Sequence, residues 1–533
     1  MSAAVADTIA ATVASWLNVT APQAPLSSDS RRIMPGDVFL AYAAASEQGV
    51  AVDGRNFIGD AIERGAVAIV FDERDFDWNS TWDVPHFGVP NLQAIAGNVA
   101  AAHYDQPDRS MLSIAVTGTN GKTSCTQWLG AALSRSATPT AVIGTFGVSL
   151  FKQGKSGAIS VTGYTTPDAV QLQRLLADLR TRGARAVAIE ASSIGLQQQR
   201  MLGMHVDVAL LTNLTRDHLD YHGDMTAYEA AKTSLFDWPG LQHAVLNLDD
   251  PMGLRLLARL RATAPTVRVI GYTRTSDSAP LFSVAELGAG GMLLAATEIR
   301  SSHAGTQFQL SVATAVAPAT ADAVTKNAVK TQLVGDFNVS NVLGVLGVLF
   351  SQGMQINAAI AAVESLQAVA GRMQQIGGPD QPVVVIDYAH TPDALEQTLA
   401  SLRGLANERH GELWCVFGCG GDRDPGKRPQ MGAISQAADH VIVTSDNPRS
   451  EQPAAIIADI VAGIDLNRTP QIIEDRATAI LWALKHAGKN DVILLAGKGH
   501  ENYQEIKGRK LQFLDADHAA LALAARATMK GVH

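Results

Sequence analysis

Cysteine is close to absent from this chain of 533 residues, which carries only Cys125, Cys415 and Cys419. Three thiols make no disulfide framework and their spacing fits no zinc pattern, so a reduced, cytoplasmic protein is expected. No apolar run approaches the roughly 18 residues that cross a bilayer, which argues against membrane insertion. The opening MSAAVADTIAATVASWLNV lacks a basic leader, and Asp7 interrupts its apolar stretch. It reads as an amphipathic first helix rather than a signal peptide. Positive charge is short as well: 42 Lys and Arg against 51 Asp and Glu leave a net charge of −9. That balance argues against a nucleic-acid binder working by global attraction, but not against anionic small substrates gripped by basic residues gathered in one cleft. There is no internal repeat, and the one biased stretch, AVAPATADAV, is mild.

What is present reads as a soluble globular protein, 47% hydrophobic and 17% charged, long enough for three or four domains. Residues 1–107 hold short strands and helices, with DERDFDWNSTWDVPHF as a surface loop. At MLSIAVTG an apolar strand runs into a glycine turn and a helix, opening a second unit over 108–368. AVAIEASS, VDVALLTNLT and HAVLNLDD repeat that strand–turn–helix pattern. Between about Phe282 and Gln332 an Ala-, Thr- and Val-rich composition fits antiparallel strands joined by a variable loop. A third unit, 369–533, carries PVVVIDYAH, ELWCVFGCGG, HVIVTSDNP and DVILLAGKGH. Buried-strand patterns alternating with helices give an α/β fold of three domains. The central one is a doubly wound, mostly parallel sheet bearing a mononucleotide-binding loop. In such sheets ligands sit beyond the carboxyl ends of the strands, so each strand tip is a candidate site.

The clearest local signal is Gly118-Thr119-Asn120-Gly121-Lys122-Thr123-Ser124, which follows a strand and opens a helix. Glycines let backbone N–H groups turn toward phosphate oxygens, and the helix N-terminus adds a favourable dipole. Lys122 suits β/γ-phosphate charge and the Thr123 hydroxyl suits magnesium. Val116 stands where the full pattern has glycine, so the loop is a shortened variant. Glu190 ends its strand as a candidate magnesium ligand. The run Asn213 to His222, which includes His218, packs amide, carboxylate and imidazole groups together; Thr215 or Asp217 acting as a plain helix cap is the bland alternative. Farther on, Gly371-Arg372-Met373, Asp387-Tyr388-Ala389-His390, Gly420 to Asp424, Asp446-Asn447-Pro448-Arg449 and Gly497 to Glu501 each place charge at or past a predicted strand. Arginines there suit bidentate binding of carboxylates. The residues alone thus imply a magnesium–nucleotide enzyme with a second, basic site for a carboxylated substrate.

Together these motifs resemble the Mur ligase family of bacterial cell-wall synthesis along nearly the whole chain. TGTNGKT resembles its ATP loop, Asn338 and Asn341 its adenine-side asparagines, and Gly371-Arg372 with DYAHTPDAL its interdomain ATP contacts. DSRRIMPGDVF, YTTPD, EASSIGLQQQR, DHLDYHGDMTAYEAAK and GKGHENYQ are similar to the subgroup that adds meso-diaminopimelate, and DNPR is the string that subgroup uses for this amino acid rather than lysine. The resemblance implies a uridine-binding first domain, a central ATP-binding domain and a Rossmann-like third domain. It implies that Ser28 and Ser30 contact the uridine nucleotide, and that Thr165, Thr166, Ser192, Gln198 and Arg200 contact the muramoyl dipeptide. Arg423, Asp446, Asn447, Pro448, Arg449, Gly497 and Glu501 are implied for diaminopimelate. Lys232 is implied to be carbamylated and to hold magnesium with Thr123, Glu190 and His218. Two positions depart from the family pattern: Ile194 replaces a usual histidine, and Tyr164 replaces an asparagine ahead of the Thr pair.

The implied reaction is ATP-dependent joining of meso-2,6-diaminopimelate to UDP-N-acetylmuramoyl-L-alanyl-D-glutamate through an acyl phosphate, with Lys122, Lys232 and His218 around the developing charge, in a monomeric enzyme. Folylpolyglutamate synthase shares the loop and the acyl-phosphate logic but needs neither DNPR nor a uridine motif. A nucleotide-switch protein would need no small acceptor. On local spacing alone, Glu229 and Lys232 form an ordinary surface ion pair at i,i+3.

Overall fold

The computed structural model describes residues 3–45, 51–160, 162–274, 283–302, 305–314, 325–377, 380–465, 467 and 469–530. Phe282 and AVAPATADAV lie outside them. Helix Ala3–Thr20 is amphipathic as expected, burying Ala10, Val13 and Leu17 at helical spacing. It packs on a four-stranded parallel sheet in the order Leu26–Ser27, Val38–Ala41, Ala68–Asp72, His86–Val89. The expected surface loop is more than solvated chain. Trp78 stacks on His86 at 3.8 Å and meets Trp82 at 5.0 Å and Phe71 at 5.1 Å, so the loop carries a small aromatic core. Its last residues, His86 and Phe87, already belong to a strand.

Among the described residues the middle sheet has eleven strands. Seven run parallel, in the order Thr140–Gly144, Ala186–Glu190, Leu112–Thr117, Val208–Leu211, His243–Asn247, Arg268–Arg274, Met292–Ser302. Antiparallel strands finish both edges; Gly305–Thr314 and Thr325–Thr331 bear out the expected antiparallel region. Leu112–Thr117 lies at the centre because both its faces are apolar: Ile114 and Val116 enter one core, Ala115 the other. Successive strands go to its two sides, so the strand order reverses around it, which is where such sheets bind ligands.

The third sheet runs Gln374–Ile376, Val383–Asp387, Val492–Ala496, Leu413–Phe417, His440–Val443, Gln471–Ile472, parallel except for its first pair. It too is covered on both faces, with Val385 in one core and Val384 and Ile386 in the other. Helix starts follow local chemistry. Thr391 accepts from the Ala394 N–H with Pro392 at the first helical position, and Asp168 accepts from the N–H groups of Val170 and Gln171. One expectation fails in detail: Gly371-Arg372-Met373 precedes a strand instead of following one.

Candidate active site

The loop Gly118–Gly121 joins the central strand to helix Lys122–Arg135. Gly121 has φ +87°, and a Cβ there would collide with the Asn341 side chain, so glycine lets helix Asp336–Ser351 close on the loop. The loop is tied down on its other flank. Asn120 N–H donates to Asn213 Oδ1 at 2.9 Å, and Thr119 Oγ1 donates to the Thr215 carbonyl at 3.0 Å and meets the Tyr228 hydroxyl at 3.1 Å. The Lys122 ammonium donates to the carbonyls of Gly118 (2.7 Å) and Thr119 (2.8 Å).

Lys232 donates to that same Gly118 carbonyl at 2.9 Å. It is 1% exposed, with its nitrogen 4.4 Å from the centre of the Tyr228 ring. Burial, then the neighbouring Lys122 charge, drives its amine well below the ordinary lysine value. The surface ion pair with Glu229 does not exist: Glu229 binds Arg255 through two hydrogen bonds of 2.6 and 2.8 Å. Helix spacing set Glu229 and Lys232 side by side, but Lys232 lies on the inner face. The cap reading of Thr215 or Asp217 also fails, because the short helix Leu219–His222 starts after His218, which has φ +53° and no side-chain cap bond. Asp217 instead sits 3.5 Å from His218 and 3.8 Å from His390. Burial alone would raise the Asp217 carboxyl, but His218, His390 and Lys427 hold it well below the usual range.

Glu190, at the tip of its strand, is 1% exposed and accepts the Thr123 hydroxyl at 3.0 Å. It also accepts the Thr145 N–H and hydroxyl at 2.9 and 3.1 Å. Asn120, Gly121, Ser124, Asn338, Asn341 and Arg372 line a cleft of about 300 Å³ between the middle and third domains. Arg372 crosses the boundary, reaching the Thr123 hydroxyl at 3.3 Å while stacking on Tyr388 at 4.3 Å.

The residues expected around a dipeptide form one network beside Glu190. Thr166 Oγ1 donates to the Glu190 carbonyl (2.7 Å) and meets Ser192 Oγ (2.9 Å), while Arg200 donates to the Thr166 carbonyl (3.1 Å) and to Gln198 (3.0 Å). Thr165 joins through Thr145 at 3.3 Å. Tyr164 has a place of its own, under the Arg200 guanidinium at 4.5 Å. A second cleft, of about 550 Å³, lies between the first and middle domains and is lined by Ser28, Arg31, Arg32, Tyr164, Asp168 and Arg174 among others. Ser28 donates to Asp168 at 2.8 Å. Ser30 is buried and does not line this cleft.

In the third domain, Asn447 Nδ2 donates to Glu501 at 2.7 Å, and a Cβ on Gly497 would come within 2.5 Å of Asp446. Arg449, at φ +50°, donates to the Gly421 carbonyl at 2.7 Å and lies 3.5 Å from Glu505. The Pro448 backbone packs against Gly421, and Arg423 is exposed at the rim. Burial and Asp446 raise the Glu501 carboxyl, with Lys498 and Asn447 opposing.

Several participants were not singled out from the sequence as site residues. Thr145 had no motif around it. Asp393 was covered only through the string DYAHTPDAL, and it meets Asn120 at 3.3 Å across the domain boundary from the helix start at Thr391-Pro392. Lys498 was visible inside GKGHE, but its complete burial was not.

A three-domain α/β chain with a phosphate loop in the cleft between its middle and third domains, and a second polar cleft between its first and middle domains, has the layout of an ATP-dependent ligase. Family profiles described as Mur ligase family, catalytic domain, Mur ligase middle domain, and Mur ligase, glutamate ligase domain match residues 25–104, 116–349 and 371–499. Among curated relatives, the UDP-N-acetylmuramoyl-L-alanyl-D-glutamate–2,6-diaminopimelate ligase of Janthinobacterium sp. (strain Marseille) is 60% identical, covering 97% of this chain and 98% of its own length. That of Ralstonia nicotianae is 50% identical over 97% and 96%. A solved structure of a ligase of the same name is 33% identical over 94% and 95%, with a TM-score of 0.62. The chain belongs to the Mur ligase family, and is an ATP-dependent ligase that releases ADP.

Proposed function

We propose that this ligase joins meso-2,6-diaminopimelate to UDP-N-acetylmuramoyl-L-alanyl-D-glutamate in peptidoglycan precursor synthesis. The observation that carries this reading is the cluster of Asp446, Asn447, Arg449 and Glu501: carboxylates for an ammonium and a guanidinium for a carboxylate, in a chain 60% identical to a ligase of that name. The second cleft, with Ser28 and its arginines, supports a nucleotide-linked substrate bridging the first two domains.

In the reaction the D-glutamate γ-carboxylate attacks the γ-phosphorus of ATP, and ADP leaves. The neutral diaminopimelate amine then attacks the acyl-phosphate carbon, the C–O bond breaks, and inorganic phosphate leaves with the proton the amine gives up. Lys122 and the loop N–H groups hold the phosphates, Thr166, Ser192 and Arg200 orient the dipeptide, and Arg372 closes the third domain onto the loop. This is catalysis by positioning and charge neutralisation. The oxygen donors of Thr123 and Glu190, 3.0 Å apart, suit magnesium and would hold it beside the phosphate oxygens. When bound, the metal supplies charge compensation at those phosphate oxygens. Lys232 supports the carbamylation reading, because carbon dioxide adds to a neutral amine and burial favours that form. As a carbamate it would offer a further metal ligand near His218.

The reading includes a monomeric, cytoplasmic enzyme. All three cysteines are free and buried, and among the described residues no helix is long and apolar enough to cross a membrane. It also includes domain limits at 1–107, 108–368 and 369–533, which put the four-, eleven- and six-stranded sheets in separate domains. A folylpolyglutamate-synthase reading leaves the third-domain cluster and the Ser28 cleft without a task; the likeness to that enzyme from Mycobacterium tuberculosis, 18% identical, is one of fold. The test is ADP release with each acceptor and amino acid. Turnover should need both the uridine-linked dipeptide and diaminopimelate; turnover on a folate with glutamate would overturn the reading.

A further inference from the structure

Lys498, a buried lysine of the third domain, holds none of the reacting groups named above. Lys498 is 0% exposed, and its ammonium donates to three acceptors: the Tyr503 carbonyl at 2.6 Å, Asn447 Oδ1 at 3.2 Å and Glu501 Oε2 at 3.2 Å. A buried ammonium is retained only when its donors are matched, and here all three are. The match has a consequence for Asn447. Its Oδ1 also accepts the Glu505 N–H at 2.9 Å, so both partners of that atom are donors and the amide cannot be turned over. The NH2 group is thereby the end turned to Glu501.

We propose that Lys498 is a positioning residue of the amino-acid site, which locks the Asn447 amide with its NH2 on Glu501 and keeps Glu501 ionised to receive the ammonium of the incoming diamino acid. This rests on the reading that the diamino acid binds here. Glu501 is faced by Asp446, Lys498, Arg476, Tyr388 and Tyr503. Of the two cations, Arg476 is held by Asp515 through hydrogen bonds of 2.8 and 2.6 Å, which leaves Lys498 as the one that touches Glu501. Without it, two carboxylates share one buried site, and one of them takes up a proton at higher pH.

The test is steady-state kinetics of Lys498→Met across pH, with Lys498→Arg and Arg449→Ala beside it. In Lys498→Met, KM for diaminopimelate should rise about tenfold or more, while kcat at saturation and KM for ATP change little. The acid limb of kcat/KM for diaminopimelate should move up by about one pH unit, and Lys498→Arg should restore its position. Glu501→Gln should lack that limb altogether, which keeps the test open if the Met variant does not fold. A purely structural lysine would lower kcat and impair all three substrates alike with the limb in place, and the proposal would fall. It would fall equally if the limb persisted in Glu501→Gln. If Arg449→Ala also left KM for diaminopimelate unmoved, the site itself would be misassigned; if only the Lys498 variants did so, the site stands and Lys498 does not.

Discussion

At the scale of single residues, two amines converge on one carbonyl. Lys122 and Lys232 both donate to Gly118 O, so the energetics of one depend on the other. Lys122→Ala should fold and lose nearly all ADP release; a folded variant with near-normal release would take the loop out of the mechanism. Lys232→Ala should be inactive and partly rescued by small carboxylates, and Lys232→Arg should stay inactive. The Arg variant cannot be excused by a lost Glu229 pair, since Glu229 belongs to Arg255. The depressed amine also has a sign in stability. Below the ordinary value of 10.5 the unfolded chain carries a proton on Lys232 that the folded chain refuses. Stability therefore falls as pH is lowered below 10.5, by about 1.4 kcal/mol per unit, until the folded value is reached. Lys232→Met, melted in bicarbonate-free buffer, should gain in Tm over the unmutated protein, and gain more at pH 7 than at pH 9. A gain independent of pH would mean that Lys232 is charged in the fold. None of this was legible locally, because AYEAAK reads as a solvated helix face and only the tertiary fold turns Lys232 inward.

At the scale of elements, the strands and their tips were legible because buried parallel strands are continuous apolar runs that end at polar groups. What the runs could not give was order. Nothing in AVAIEA says that it lies beside Leu112–Thr117, and it is that neighbourhood that sets Glu190 against Thr123. Nor could the Gly371-Arg372 turn be placed, since it packs on a segment more than a hundred residues away. Gly371 has φ +65°, and a Cβ there would collide with the backbone of Gly499 and His500. Gly371→Ala should cost about 2 kcal/mol or more and displace Arg372 from the loop, so Tm and kcat should fall together. Unchanged kcat in that variant would show that Arg372 is not needed at the loop.

At the scale of the molecule, the polar contacts between the middle and third domains around the nucleotide cleft are long, beside the apolar packing of Val334 and Phe337 on the third-domain core. Arg372–Thr123, Asn120–Asp393 and Arg216–Asp424 are each 3.3 Å, near the long end of hydrogen bonding, and the last is partly exposed. Such a boundary favours movement of the third domain, with substrates supplying the closure. Protease nicking between helix Ile356–Glu364 and strand Gln374–Ile376 should slow several-fold when ADP and product are added, and equal rates would point to a rigid junction. On the proposed function, closure presents the third-domain site to the acyl phosphate, and choice of amino acid rests on Arg449 and its neighbours. Arg449→Ala should cut discrimination for diaminopimelate over lysine by about 2–5 kcal/mol. The most direct measurement is a competition: the unmutated enzyme with ATP, the uridine-linked dipeptide and equal meso-diaminopimelate and L-lysine, with the product weighed by mass spectrometry. The diaminopimelate adduct should account for nearly all product, and a mixture or a lysine adduct would contradict the assignment of the third-domain site.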